Sequence, residues 1–213
     1  MLQVGLVLTL GSGCDKNKDI PPVPKARSQA VVGKTRPTAS ASASVAVPPP
    51  VHRDLCGGRL SAAKDLPEGE FEQRSGSGST DLPSGLAVTG KWTWVNFWAA
   101  WCVPCKAEIP MLVSWEERLE QSGVPFRLTF VSVDDDERQL ERFLKGQTDK
   151  GLRATHWLKD PDDREDWLEK AGLGRDPDLP AHLLLDPQGK IRCAITGAVE
   201  SSDYDQLKRL ITE

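Results

Sequence analysis

The chain has 213 residues, 38% hydrophobic and 27% charged, with a formal net charge of −4; this suits one domain, or one domain with appendages. Charge is uneven: residues 15–53 hold seven Lys/Arg against two Asp, whereas residues 54–213 hold twenty Lys/Arg against twenty-nine Asp/Glu. An acidic folded part lacks the basic footprint of a nucleic-acid binder, so no nucleic-acid partner is expected.

The first fourteen residues, MLQVGLVLTLGSGC, contain an apolar run from Leu2 to Leu10. Nine residues are too few to span a bilayer but suit the apolar core of a secretory signal. Small residues and then Cys14 follow, and this ending resembles a bacterial lipoprotein signal, with Gly11 standing where such signals usually carry Leu. The resemblance implies lipidation of Cys14 and a membrane anchor; ordinary secretion with cleavage nearby is the alternative. Residues 15–53 are rich in Pro, Ala and Ser and lack aromatics. Such a composition buries too little apolar surface to offset the entropy of ordering, and is expected to be a disordered tether. A flexible chain of 39 residues has a typical end-to-end distance of roughly 35 Å.

From residue 54 the composition becomes that of a globular domain, expected over 54–213. Residues 74–85, RSGSGSTDLPSG, read as a turn-rich loop without phosphate-loop spacing. Trp94–Trp98 is apolar almost without alternation, as in a strand buried on both faces. A helix is expected from about Val103, with Leu112, Trp115 and Leu119 on its buried stripe and Gly123 and Pro125 ending it. Residues 126–133 form the next strand, so that strand, helix and strand make a parallel crossover. Helices follow at 136–145 and about 162–171. His182–Asp186 and Ile191–Thr196 pair as an antiparallel hairpin across a type I turn at Asp186–Gly189. Ser201 or Ser202 then caps a last helix carrying Tyr204, Leu207, Leu210 and Ile211. The expected class is α/β: a central mixed sheet flanked by helices, with an inserted helical segment between the βαβ half and the C-terminal hairpin and helix.

Chemistry concentrates in Cys102-Val103-Pro104-Cys105, placed directly after a strand and at a helix start. A structural zinc site needs more ligands, often two C-x-x-C pairs, and only one is present. His52, His156 and His182 show no ligand spacing and are expected at the surface or in loops, so no metal or cofactor is assigned. A disulfide between such close cysteines restricts the unfolded chain little. Redox exchange suits the placement: the helix N-terminus stabilises a thiolate on Cys102, and Cys105 can resolve a mixed disulfide formed there. Pro104 early in the helix forfeits only an N–H that is unpaired there anyway.

The stretches NFWAAWCVPCKAEIP and LPAHLLLDPQGKI resemble the thioredoxin superfamily, specifically its extracytoplasmic, membrane-tethered TlpA-like and cytochrome c maturation branch. The resemblance covers roughly residues 85–213. It implies a thioredoxin-like fold, Cys102 as attacking thiol, Cys105 as resolving thiol, Trp101 shielding the sulfurs and Pro180 as a cis-proline opposite them. Asn96 stands where thioredoxin has a buried aspartate, so the proton acceptor for Cys105 must lie elsewhere. Glu108 matches a glutamate near the thiols in the cytochrome c maturation group; a solvated or locally paired helix residue is the other reading. Pro110 also fits the family pattern. With Cys14 and the 102/105 pair set aside, Cys56 and Cys193 remain; in an oxidising compartment they are expected to form a structural disulfide, with two separate buried thiols as the alternative.

The implied function is a membrane-tethered thiol–disulfide oxidoreductase, a monomer that reduces disulfides in a partner protein and is recharged by a membrane electron donor of the thiol–disulfide type. The alternatives are an oxidant that donates disulfides and a copper- or haem-delivery module using the dithiol as ligand. A peroxidase is disfavoured because no cysteine stands in a T-x-x-C context.

Overall fold

The computed structural model describes residues 54–76, 82–148 and 151–213. The expected signal and tether, and with them Cys14 and His52, lie outside the described residues. A 3-10 turn at Leu55–Gly58 opens the described chain, followed by strand β1 (Glu72–Ser75) and strand β2 (Trp92–Trp98). Helix α1 (Val103–Gln121), strand β3 (Phe126–Ser132) and helix α2 (Glu137–Lys145) come next. Strand β4 (Ala154–Trp157), helix α3 (Pro161–Ala171), strands β5 (Ala181–Leu185) and β6 (Ile191–Thr196), and helix α4 (Asp203–Thr212) complete the order.

The strands form one mixed sheet in the order β1-β4-β3-β2-β5-β6. β2, β3 and β4 run parallel, while β5 is antiparallel to β2, β6 to β5 and β1 to β4. The central position of β2 explains its largely apolar sequence: Trp94, Val95, Phe97 and Trp98 are all fully buried, as in a strand covered on both faces, with Asn96 the buried polar exception between them. The α/β class and the mixed, helix-flanked sheet are as expected for a thioredoxin-like chain.

α1 begins at Cys102 and buries Cys105, Glu108, Ile109, Leu112, Trp115 and Leu119. Those positions recur at intervals of three and four residues, which puts them on one face against the sheet. Gly123 at φ 76° ends the helix, and Val124 N–H returns to Leu119 O. α2 and α3 start on Asp136 and Asp160, whose carboxylates accept main-chain N–H bonds from the first turn. In the β5–β6 hairpin, Gly189 N–H donates to Asp186 O and Gly189 has φ 78°. A type I turn followed by a left-handed glycine has this form.

Four expectations need correction. The insertion before the hairpin is not wholly helical, because β4 joins the sheet beside β3; four residues with a buried histidine carry no alternation to betray a strand. Arg74 and Ser75 are not loop residues but pair with Thr155 and Ala154. His156 and His182 lie in β4 and β5 and are fully buried, since both strands are covered on each face. The serines before α4 make no side-chain cap; instead the Asp203 carboxylate accepts from Glu200 N–H at 2.8 Å.

Candidate active site

β2 ends where its neighbour β3 ends, and the chain then turns tightly into α1. Val133 N–H donates to Trp98 O at 2.9 Å and Cys102 N–H to Ala99 O at 3.0 Å. The turn is held from below by Asp134, a fully buried carboxylate just past β3. Both of its oxygens accept from Ala100 N–H, at 2.9 and 3.0 Å, and one accepts from the Ser132 hydroxyl at 2.8 Å. Burial pushes the Asp134 carboxyl up, while these hydrogen bonds oppose the shift. Within the run Asp134-Asp135-Asp136 nothing in sequence separates the buried member from its exposed neighbours.

Cys102 is the N-cap of α1: its Sγ accepts from Cys105 N–H at 3.2 Å. Cys102 and Cys105 are joined as a disulfide. Their environments differ. Cys102 lines a cavity of about 570 Å³ together with Trp101, Val103, Pro104, Leu168, Pro177 and Leu179. Cys105 is fully enclosed and does not line it. Trp101 and Val103, at 55% and 71% exposure, flank the sulfur as the exposed large apolar residues among those described. Leu179, on the far wall, precedes Pro180 through a cis peptide bond, and Pro180 O accepts from Gly197 N–H at 2.8 Å.

A second cluster lies on the sheet side of α1. Glu108, one turn beyond Cys105, is buried rather than solvated. Its Oε1 accepts from Asn96 Nδ2 at 2.7 Å and its Oε2 from Val199 N–H at 3.3 Å. Burial raises the Glu108 carboxyl to about 7, with the two hydrogen bonds opposing. Asn96 Oδ1 has no hydrogen-bond partner among the described residues. His182, beside Asn96 on the neighbouring strand β5, completes the cluster: its Nδ1 accepts from Trp94 Nε1 at 3.1 Å and its Nε2 stands 3.7 Å from Glu108 Oε1. Sequence reading placed Glu108 and Asn96 but missed His182 and Asp134. His182 carried a usable signal, a histidine two residues after the proline within an apolar strand.

This arrangement supplies a sulfur at a helix N-terminus that borders the cavity although Cys102 is only 3% exposed, a second sulfur enclosed behind it, and an enclosed carboxyl whose proton affinity lies near neutrality. Elsewhere, Cys56 and Cys193 are joined at a Cα–Cα distance of 5.5 Å, linking the first turn to β6. Among the described residues no group of three or more His, Cys, Asp or Glu is placed to hold a metal ion, and no helix is long and apolar enough to cross a membrane.

Relatives carry related names. The thiol–disulfide oxidoreductase ResA of Geobacillus thermodenitrificans is 30% identical over 118 residues, 55% of this chain and 61% of that protein. ResA of Bacillus subtilis is 27% identical over 124 residues, 58% of this chain and 63% of that protein. The chain thus spans a little over three fifths of the length of these relatives. Among solved structures, the thioredoxin domain of a thiol–disulfide oxidoreductase from Bacteroides vulgatus is 26% identical, with a TM-score of 0.45 over 58% of this chain and 81% of that one. The AhpC/TSA family matches residues 68–194, more than half of the sequence, and the chain belongs to that family.

Proposed function

We propose that this chain is a thiol–disulfide oxidoreductase that reduces disulfides in partner proteins through Cys102 and Cys105. The observation that carries the reading is the asymmetry of the bonded pair: Cys102 borders the cavity at the helix N-terminus, and Cys105 is enclosed behind it. In the reduced enzyme the Cys102 thiolate attacks one sulfur of the partner disulfide, and the other partner sulfur leaves as a thiolate. Glu108 takes the proton of Cys105, whose thiolate then attacks Cys102 Sγ and expels the second partner sulfur. Two electrons have passed to the partner, and the enzyme is left with the Cys102–Cys105 disulfide. A thiol–disulfide donor at the membrane returns the two electrons.

Trp101 and Val103 give the partner an apolar landing surface beside the sulfur, and Pro104 starts the helix without wasting a donor. The loop at Leu179–Pro180 forms the opposite wall, where it presents backbone to the partner strand. In this reading residues 54–213 are the catalytic unit, residues 15–53 the tether and lipid-modified Cys14 the extracytoplasmic anchor. The direction of electron flow follows the resemblance carried by the sequence around the pair.

The test is insulin reduction by the purified protein with dithiothreitol. Cys102→Ser is expected to abolish it, and Cys105→Ser to accumulate mixed disulfides with partners in cells. Full activity of the Cys102→Ser protein would refute the assignment. For the anchor, labelling with a fatty acid is expected in the full chain and absent after Cys14→Ala.

A further inference from the structure

We propose that His182 is a positioning residue for Glu108, locked by Trp94 as a neutral Nε2–H donor aimed at the carboxylate. The inference deepens the reading of Glu108 as the proton acceptor for Cys105 and rests on it. An indole N–H can only donate. With Trp94 Nε1 at 3.1 Å, His182 Nδ1 must therefore accept and carry no proton. The Asn96 amide nitrogen, also a donor, lies 3.3 Å from the same Nδ1. The ring proton is left on Nε2, and that nitrogen stands 3.7 Å from Glu108 Oε1.

A neighbouring carboxylate favours the cationic form of a histidine, and burial opposes it. Here a proton on Nδ1 would set it against the indole and amide donors, so the imidazolium form is opposed. The distance to Glu108 is longer than a hydrogen bond, so the ring N–H acts on the ionised carboxylate through space. α1 brings Cys105, one turn before Glu108, and β2 brings Trp94 and Asn96. The segment after β6 offers a main-chain N–H. From α4, Tyr204 packs on Trp115, which in turn meets Trp94 edge-on, and Arg118 lies over the Tyr204 ring. His182 thus acts on Glu108 by holding the carboxylate form within reach of pH 7, and it does not itself exchange a proton in the step.

The decisive measurement is the nitrogen NMR of His182 in the full oxidised chain from pH 5 to 9. The proposal expects the Nε2–H tautomer throughout; an Nδ1–H tautomer or an imidazolium anywhere in that range overturns it. The second arm is the pH profile of mixed-disulfide resolution by Cys105. His182→Phe removes the donor and is expected to raise the midpoint by about one pH unit, slowing resolution at pH 7 about fivefold. His182→Gln, which keeps a donor at the Nε2 position, is expected to retain the midpoint. An unmoved midpoint in His182→Phe, or an equal shift in His182→Gln, overturns the proposal; if the Phe protein does not fold, the tautomer and the Gln variant decide it. Glu108→Gln separates the underlying reading: a pH profile unchanged in that variant refutes Glu108 as the proton acceptor while leaving the tautomer result standing.

Discussion

Replacing Glu108 by glutamine removes the one carboxyl under α1 whose titration burial has moved to about 7, from an ordinary value of 4.5. Between those two values the folded protein keeps a proton that the unfolded chain has released. The stabilisation from that proton is fully present below about pH 4.5 and is lost as pH rises through 7. A gap of about 2.5 in pKa corresponds to about 3 kcal/mol. Glutamine never ionises, so the variant lacks this pH-dependent contribution. The difference in unfolding free energy between Glu108→Gln and the parent protein is therefore expected to grow by about 3 kcal/mol from pH 4.5 to pH 8, in favour of the variant. Urea unfolding of the oxidised proteins at half-unit pH intervals measures it. Asp134, Glu116 and His156 also have shifted pKa values, but they are common to both proteins and cancel in the difference. Parallel stability curves would refute the reasoning, because they would mean that Glu108 titrates alike in the folded and unfolded chains. The same variant is expected to lose the pH dependence of resolution by Cys105, so stability and activity move in opposite directions at pH 8.

His156 is fully buried and neither ring nitrogen has a hydrogen-bond partner among the described residues. Burial depresses its pKa, so its contribution is present above about 6.5 and lost as pH falls through the folded value; His156→Phe, packed against Phe71, is expected to unfold at equal or higher urea at pH 7 and to lose less stability at pH 5. Asp134→Ala strands the buried Ala100 N–H and the Ser132 hydroxyl and is expected to cost about 2–4 kcal/mol in urea unfolding at pH 7, with slower thiol exchange. The Cys56–Cys193 link closes a separation of 137 residues and the Cys102–Cys105 link one of 3, so loop entropy assigns them about 5 and about 1.6 kcal/mol respectively. Replacing each pair by alanine, followed by urea unfolding, is expected to show that ordering; equal losses would remove the distinction between staple and reactive pair.

Most of the scaffold was legible from one dimension. Strand β2 betrayed itself because its β-prone, apolar run at Trp94–Trp98, interrupted only by Asn96, suits a strand covered on both faces. α1 was readable from Leu112, Trp115 and Leu119 at helical spacing, and the hairpin from its turn residues. β1 and β4 were not, since four-residue strands leave no period to count and owe their pairing to what lies beside them. Arg74 shows the difficulty: it borders a Gly/Ser-rich stretch, yet its backbone pairs with Thr155.

For the site, the amino-acid order alone singled out the Cys102/Cys105 pair and its place at a helix start, because these depend on neighbours within one turn of chain; the missing acid at Asn96 was legible only through the resemblance to thioredoxin. Only the tertiary structure decided that Glu108 is buried and that His182, on the strand beside Asn96, stands 3.7 Å from it. It likewise decided that Asp134, alone of three adjacent aspartates, holds the turn before Cys102. Burial and hydrogen bonding between residues 12, 34 or 86 positions apart arise from the packing of β2, β3, β5 and α1, and those interactions set where a proton resides.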